Sequence, residues 1–491
     1  MPSPILLATA SHPGRRCASA ALAGAVLSLA GCASLQQPLP ASSTADLTPP
    51  AQWSSAAPAA QAAGAGDEAA LLAWWRRFDD PLLDAAIDDA LAHATDLDAA
   101  QARLRQARAQ RDLALAGTRP NVGGSGSARV SRAEGGANGQ SYGIGVDASW
   151  EPDLWGGQAA GVAAADASAQ ASAATLAATR LAVAAEAALD LLQWRGTLAR
   201  LTIARASLES QRQTLQIVQW RAEAGLVTQL DVEQARTGLA QTEAQVPALE
   251  AAAAQTRHAF ETLAGRPPGS WKARFDAAAA ASQPEAPAAL ALAMPADVLR
   301  QRPDVRAAER QLAAAAARVE QADAARLPSL NLGGSIGLSA LRLSRLASGA
   351  GVATLLASID LPLFDGGRRV AQVRVQEAAR DEAAAAWRAS VLGALQDVED
   401  TLVALDGTQA QLASQRTAAA AAQRAADLAD QRYRSGLVDF QNVLQTQRTR
   451  LAAQDAVAST TAALNALHVR LYKALGGGWT PATIDELARA R

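Results

Sequence analysis

Histidine and cysteine are the side chains best suited to metal or nucleophile chemistry, and this chain of 491 residues holds four of the first and two of the second. His93, His258 and His468 stand singly in helical stretches, and His12 lies in the N-terminal leader. None has a second ligand at metal-binding spacing, so surface helix positions account for them. The glycines of LGGGW follow a helical stretch instead of opening one, so they do not present a helix N-terminus to phosphate. No nucleophile, base and orienting group assemble from any motif, and a net charge of −2 gives no cationic excess for nucleic acid. The expectation is a protein that is not an enzyme, with no metal, no cofactor and no nucleic-acid partner.

Covalent modification is the chemistry the sequence does support. Arg15 and Arg16 precede the apolar run from Ala18 to Ala30, which ends in Leu29-Ala30-Gly31-Cys32. This has the form of a bacterial secretory signal closed by a lipobox, with cleavage before Cys32 and fatty acyl chains on that residue. Several acyl chains anchor firmly where one anchors marginally. The plain alternative is an ordinary signal with an incidental cysteine. Cys17 lies inside the leader, so the mature chain keeps one cysteine and no internal disulfide. Ala33 follows the cysteine, and the absence of aspartate there points to the outer membrane.

After the leader no run is apolar enough for a membrane-spanning helix. Hydrophobic residues make up 49% of the chain and aromatics 4%, and the apolar content is mostly alanine, which favours long, closely packed helices. Residues 33–70 read as an Ala/Pro/Ser/Gln tether. Asp80-Pro81 opens a helix, and Thr95 with Asp98 marks a second start. The period then changes from helical to two. Tyr142, Ile144, Val146, Ala148 and Trp150 alternate with Gly143, Gly145, Asp147, Ser149 and Glu151. Tyr142 and Trp150 are roughly 26 Å apart along such a strand at about 3.3 Å per residue. That is near the apolar band of about 25 Å that outer-membrane barrels flank with aromatic girdles. NVGGSGSARV is a weaker strand before it, and two more follow in LPSLNLGGSIGLS and the alternation from Val352 to Leu361. Four strands close no barrel, because about eight are the minimum and lipid-exposed edges are prohibitive. Several copies must share one wall.

The helices are long. The stretch from about 158 to 222 holds no proline and spans about 100 Å at about 1.5 Å per residue. Gly225 turns the chain, a second helix runs back to Gly265, and Pro247 marks a kink or break. The other half repeats this from Arg368 through Gly436 to Gly476. Gly156, Gly225 and Gly265 match Gly366, Gly436 and Gly476 at an offset of about 210, so the chain is an internal duplication. The turn is written twice, as Gly225-Leu226-Val227 and Gly436-Leu437-Val438.

The ordered motifs WWRRFDDPLLD, SWEPDLWGG, LRQRPDVRAAERQL, LPSLNLGGSIGL, IDLPLFDGG, RYRSGLVDF and LYKALGGGW, after the lipobox, resemble the TolC-like outer-membrane efflux factors over the whole mature chain. The likeness is to the lipoprotein branch associated with resistance-nodulation-division pumps. It implies a mainly α fold with a membrane β-barrel: a homotrimer whose twelve strands form one barrel and whose helical hairpins continue it as an α-barrel. It implies an exit duct for drugs or other small toxic compounds, coupled to an inner-membrane pump through a periplasmic adaptor, with outer-membrane lipid around the barrel. Adaptor docking falls on the tips Gly225, Leu226, Val227, Gly436, Leu437 and Val438. A periplasmic gate falls on Asp231, Tyr433, Asn442 and Gln445. Val438, Asn442 and Gln445 stand where better-known members carry charge, so the gate closes by hydrogen bonding or lacks one charged ring. Tyr142 and Trp150 form the girdle and Cys32 carries the lipid.

The segments expected are a signal at 1–31, a tether at 32–70, helices at 71–118, a β-hairpin at 119–152 and a helical hairpin at 153–264. The second half follows with an equatorial segment at 265–305, a helix at 306–327, a β-hairpin at 328–362, a helical hairpin at 363–475 and a tail at 476–491. Two other readings stay open: an exit duct for type I polypeptide secretion, and a lipid-anchored coiled-coil spacer or adhesin.

Overall fold

The computed structural model describes residues 52–55, 73–132, 139–285, 298, 299 and 301–478. The signal, Cys32, most of the tether, the loop 133–138, residues 286–297 and the tail beyond 478 lie outside the described residues. A short 3-10 segment, Trp74–Phe78, leads into α1 (Pro81–His93) and α2 (Thr95–Gly117), then β1 (Asn121–Ser131) and β2 (Gly139–Trp150). The first long hairpin is α3 (Gly157–Glu223) with α4 (Gln229–Leu263), followed by α5 (Lys272–Ala278). The second half repeats the order as α6 (Pro303–Ala324), β3 (Ser329–Ala340), β4 (Ala350–Asp360), α7 (Arg368–Arg434) and α8 (Phe440–Ala474). Among the described residues no helix is long and apolar enough to cross a membrane.

The two β-hairpins join into one antiparallel sheet of order β1-β2-β3-β4. β2 meets β3 through pairs such as Val146↔Ile336 and Gly145↔Gly337, although a complete helical hairpin separates them in the chain. Each strand runs into a helix, and the helices keep the strands' order, so α2, α3, α6 and α7 pack side by side in one row. Lower down, α4 packs on α3, α3 on α8, and α8 on α7.

Local chemistry sets the helix ends. The Asp80 side chain accepts from Leu82 N at 2.9 Å with Pro81 in the first turn, so α1 starts where the sequence places it. The expected Thr95 cap does not form: Thr95 is already helical, and the residue before α2 is the buried, extended Ala94, with no side-chain cap. Tertiary packing fixes this corner instead. Gly265 (φ +65°) presses on it so closely that a Cβ there would lie 2.2 Å from His93 O. The fully buried Glu261 holds the next loop by accepting from Gly269 N at 2.6 Å and Trp271 N at 2.8 Å. Pro247 neither breaks nor ends α4, which continues through it.

The scarce aromatics gather in a belt at mid-height, where Trp74 stacks on Tyr472 at 5.5 Å, Trp194 meets Phe275 at 4.7 Å and Phe260 meets Trp271 at 5.0 Å. Within the belt the buried pair Arg195–Asp80, 3.0 Å apart, ties α3 to the start of α1. Above and below, alanines let the helices approach closely, and a Cβ on Gly196 would lie 2.6 Å from the Ala462 Cβ.

His468 corrects the expectation of a surface histidine. It is 1% exposed on α8, one turn from Tyr472, and both its ring nitrogens lack hydrogen-bond partners. Burial, with Arg77 nearby, holds it down at about 4. An unfolded chain takes up a proton near pH 6.5 that the fold refuses until about 4, so stability falls as pH falls through that window. Thermal unfolding in detergent between pH 7 and 4.5 is expected to be more acid-sensitive in the wild type than in His468→Leu, by about 1.4 kcal/mol per pH unit. Equal slopes would show that His468 does not carry the effect.

Candidate functional site: a two-faced sheet and paired tips

Across the sheet most aligned sets of residues keep their character. Gly123, Asp147, Ser335 and Thr354 lie in one cross-strand line, and Val122, Ala148, Gly334 and Leu355 in the next. One face is therefore largely polar or bare, with Asn121, Ser127, Ser149, Asn331 and Ser358, interrupted on β4 by Val352 and Leu356, and the other is mainly apolar. Such alternation suits a wall with lipid on one side and water on the other. Ser125 Oγ donates to Asp147 Oδ2 at 2.6 Å on the polar face, satisfying the one carboxylate at mid-strand. Tyr142 and Trp150 stand at opposite ends of the apolar face of β2. The Trp150 indole N–H donates to Thr118 O at 3.1 Å, fixing the ring where α2 passes into β1.

At the other end of the long helices the two tips share one geometry. Gly225 (φ +72°) and Gly436 (φ +73°) take the left-handed conformation that glycine adopts without strain. Leu226 N donates to Arg221 O at 2.8 Å and Leu437 N to Arg432 O at 2.9 Å, each closing a Schellman turn. In that motif the residue after the glycine ordinarily packs back on the helix. Here Leu226 is 73% and Leu437 74% exposed, while Val227 and Val438 turn inward onto the tip core. The plain C-cap reading leaves the two outward leucines unexplained.

The four residues of the expected gate have separate surroundings. Asp231 closes a capping box at the start of α4: its Oδ2 accepts from Thr228 N at 3.0 Å and Thr228 Oγ1 at 2.8 Å. Asn442 holds the matching position in α8, where its Nδ2 donates to the N-cap Asp439 at 2.7 Å. Gln445 is exposed on α8. Tyr433 is 2% exposed, its ring 6.0 Å from Phe440 and overlain by the Arg221 guanidinium at 4.2 Å. Burial pushes its hydroxyl above the ordinary tyrosine range, opposed by Arg221 and reinforced by Asp231, and the buried oxygen makes no well-formed hydrogen bond. Tyr433 thus joins the two hairpins by packing.

Several residues missed by the sequence reading complete this junction. Arg221 Nη2 donates to Arg434 O at 3.0 Å, Gln441 pairs with Gln234, and the buried Gln447 donates to Thr214 at 2.9 Å. The duplication holds a signal for one of them, since Arg221 and Arg432 occupy matching places before the two glycines. Among the described residues no three of His, Cys, Asp and Glu come together as a metal site.

A two-faced sheet continued by a row of long helices defines the class of outer-membrane channels. The sequence model of the outer membrane efflux protein family matches residues 86–266 and 294–477. The pyoverdine export outer membrane protein OpmQ of Pseudomonas aeruginosa is 34% identical over 93% of this chain and 96% of its own. The probable outer membrane lipoprotein SilC of Salmonella typhimurium is 28% identical over 83% of this chain and 88% of its own. The solved outer-membrane channel OprN superposes with a TM-score of 0.81 at 34% identity, covering 89% of this chain and 99% of OprN. The chain belongs to the outer membrane efflux protein family, and it is a TolC-like efflux channel of the outer membrane.

The geometry at Tyr433 separates packing from hydrogen bonding. Tyr433→Phe, which removes only a hydroxyl without a well-formed hydrogen bond, is expected to leave melting and resting conductance unchanged in a planar bilayer. Tyr433→Ala is expected to destabilise the tip by about 3 kcal/mol or more and raise the resting conductance. A Phe variant as leaky as the Ala variant would show that the hydroxyl holds the tip.

Proposed function

We propose that three copies of this chain form the exit duct of a tripartite efflux system, anchored by lipid on Cys32. The observation that carries this reading is the pair of open sheet edges. β1 and β4 each have one hydrogen-bonded neighbour and are exposed along their whole length, whereas β2 and β3 are partly covered. In hydrocarbon such edges leave a row of backbone groups unsatisfied, so β4 of one copy must pair with β1 of the next. The outer helices α2 and α7 carry exposed apolar residues, Leu113 at 73% and Val375 at 58%, which suits the same side-by-side closure. Three copies is the number that the family resemblance supplies, with twelve strands in all.

The duct is passive, and energy comes from an inner-membrane pump of the resistance-nodulation-division class. A periplasmic adaptor links pump and duct by seating on Leu226 and Leu437, the apolar side chains presented outward at each tip. At rest the mouth is held shut by the packed junction around Tyr433 together with Asp231, Asn442 and Gln445. The cargo is a small toxic or exported compound, in line with the export of pyoverdine for which OpmQ is named.

Native mass spectrometry of the detergent-extracted complex is expected to give a trimer carrying acyl chains on Cys32. A stable monomer would replace the duct with a lipid-anchored spacer. Leu437→Cys, and Leu226→Cys independently, are expected to cross-link to the adaptor in intact cells. Failure at both tips would move docking elsewhere.

A further inference from the structure

The helical row just below the sheet has a lining that neither the gate nor the docking tips use. A cavity of about 480 Å³ is bounded by Gln110 of α2, Ser168 of α3, Arg318 and Gln321 of α6, and Gln372 and Gln376 of α7. α2 and α7 are the two outer members of the row, so a cavity touching both lies on its concave side. Once several copies close into a barrel, the concave side is the lumen. A second cavity of about 260 Å³ continues it toward mid-height past Ser172, Thr175 and Gln311, and shares Ser168 and Arg318 with the first.

The lining has one charge. Neither cavity is bordered by an acidic residue. Arg318 Nη2 makes a long contact of 3.4 Å to Ser168 Oγ, and among the described residues no carboxylate pairs with it. The nearby acids are engaged elsewhere: Asp166 with Gln170 at 2.7 Å, and Asp323 with Arg326 at 2.8 Å. Glutamine amides both donate and accept, and a guanidinium forks onto a carboxylate with two parallel hydrogen bonds.

We infer that Arg318, with the glutamines from α2, α6 and α7 around it, forms a subsite in the duct wall for organic carboxylates, one subsite per copy at a single level of the lumen. The inference rests on the duct reading and adds a substrate class to it. A solute of this kind meets a guanidinium among neutral amides about three turns below the sheet, then the Ser125–Asp147 level of the polar sheet face on its way out. A single guanidinium among neutral amides holds an anion weakly enough for it to leave, as conduction requires.

The test is block by citrate added to the sheet side of full-length channels in a planar bilayer, because that side reaches Arg318 whatever the state of the tips. Wild-type current is expected to fall with citrate in a voltage-dependent way, and to be unaffected by glycerol. Arg318→Gln is expected to weaken the block about tenfold. Gln372→Ala with Gln376→Ala is expected to weaken it less, with open-channel conductance retained in both variants. Normal conductance with citrate block unchanged in Arg318→Gln, or absent in the wild type, overturns the subsite and leaves the duct standing. A folded complex that conducts nothing even when Tyr433→Ala loosens its tips overturns the duct reading and the subsite with it.

Discussion

Backbone groups that face hydrocarbon must find partners, and the rest of this architecture follows from that requirement. A four-stranded sheet with a lipid-facing apolar side satisfies β2 and β3 and leaves one edge each on β1 and β4. In the proposed duct these edges pair with those of neighbouring copies, which would make oligomerisation part of folding in the membrane. The strands set the helices in turn. Each strand leads into a helix in the same lateral order, so a sheet that closes as a barrel carries its helical row with it. α3 runs through the main core while α7 buries few of its residues, and the larger apolar side chains concentrate in the mid-height clusters and at the tips.

Much of this was legible because the membrane imposes a strict period. Apolar residues alternate with glycine or polar ones from Tyr142 to Trp150 and, but for Gly333-Gly334, from Leu330 to Leu338, and the strands occur there. Glycine marked the turns equally well, since Gly225, Gly265, Gly436 and Gly476 all need the left-handed conformation that other residues rarely adopt. What escaped depends on contacts between distant segments. Thr95 had the sequence of a cap, yet the Gly265 corner decided where α2 begins. His468 had no polar partner in sequence to reveal its burial. The pairing of β2 with β3 could not be read either, because it is made by two helices returning across the molecule.

The candidate site shows the same division. The two tips were readable as turns, and their outward leucines lie in the repeated Gly-Leu-Val. The roles of individual gate residues were less so, because capping is a local competitor for any Asp or Asn near a helix start. Asp231 and Asn442 both sit three residues after an N-cap, and each meets it. The glutamines along the concave row were invisible for another reason: Gln at helical spacing on an exposed face looks like ordinary solvation until the fold brings four helices around one space.

Duplication supplied two equal hairpins, but the junction between them is not symmetric. Arg221 precedes Gly225 as Arg432 precedes Gly436, yet it is Arg221 that covers Tyr433, and the first-half residue matching Tyr433 is Ala222. The cap chemistry is also exchanged, Thr228 with Asp231 in one half and Asp439 with Asn442 in the other. One side of each hairpin therefore meets its own chain through a packed tyrosine, a guanidinium and paired amides, and the other side is left for a neighbouring chain. In a closed ring the two kinds of junction alternate. Separating chains would keep the buried tyrosines covered, whereas parting the hairpins of one chain would expose them. A mouth built this way has a weaker and a stronger seam at every turn around the ring. The asymmetry lies in single residues laid over a repeated fold, so a duplicated gene can give a ring with two kinds of contact while changing few positions.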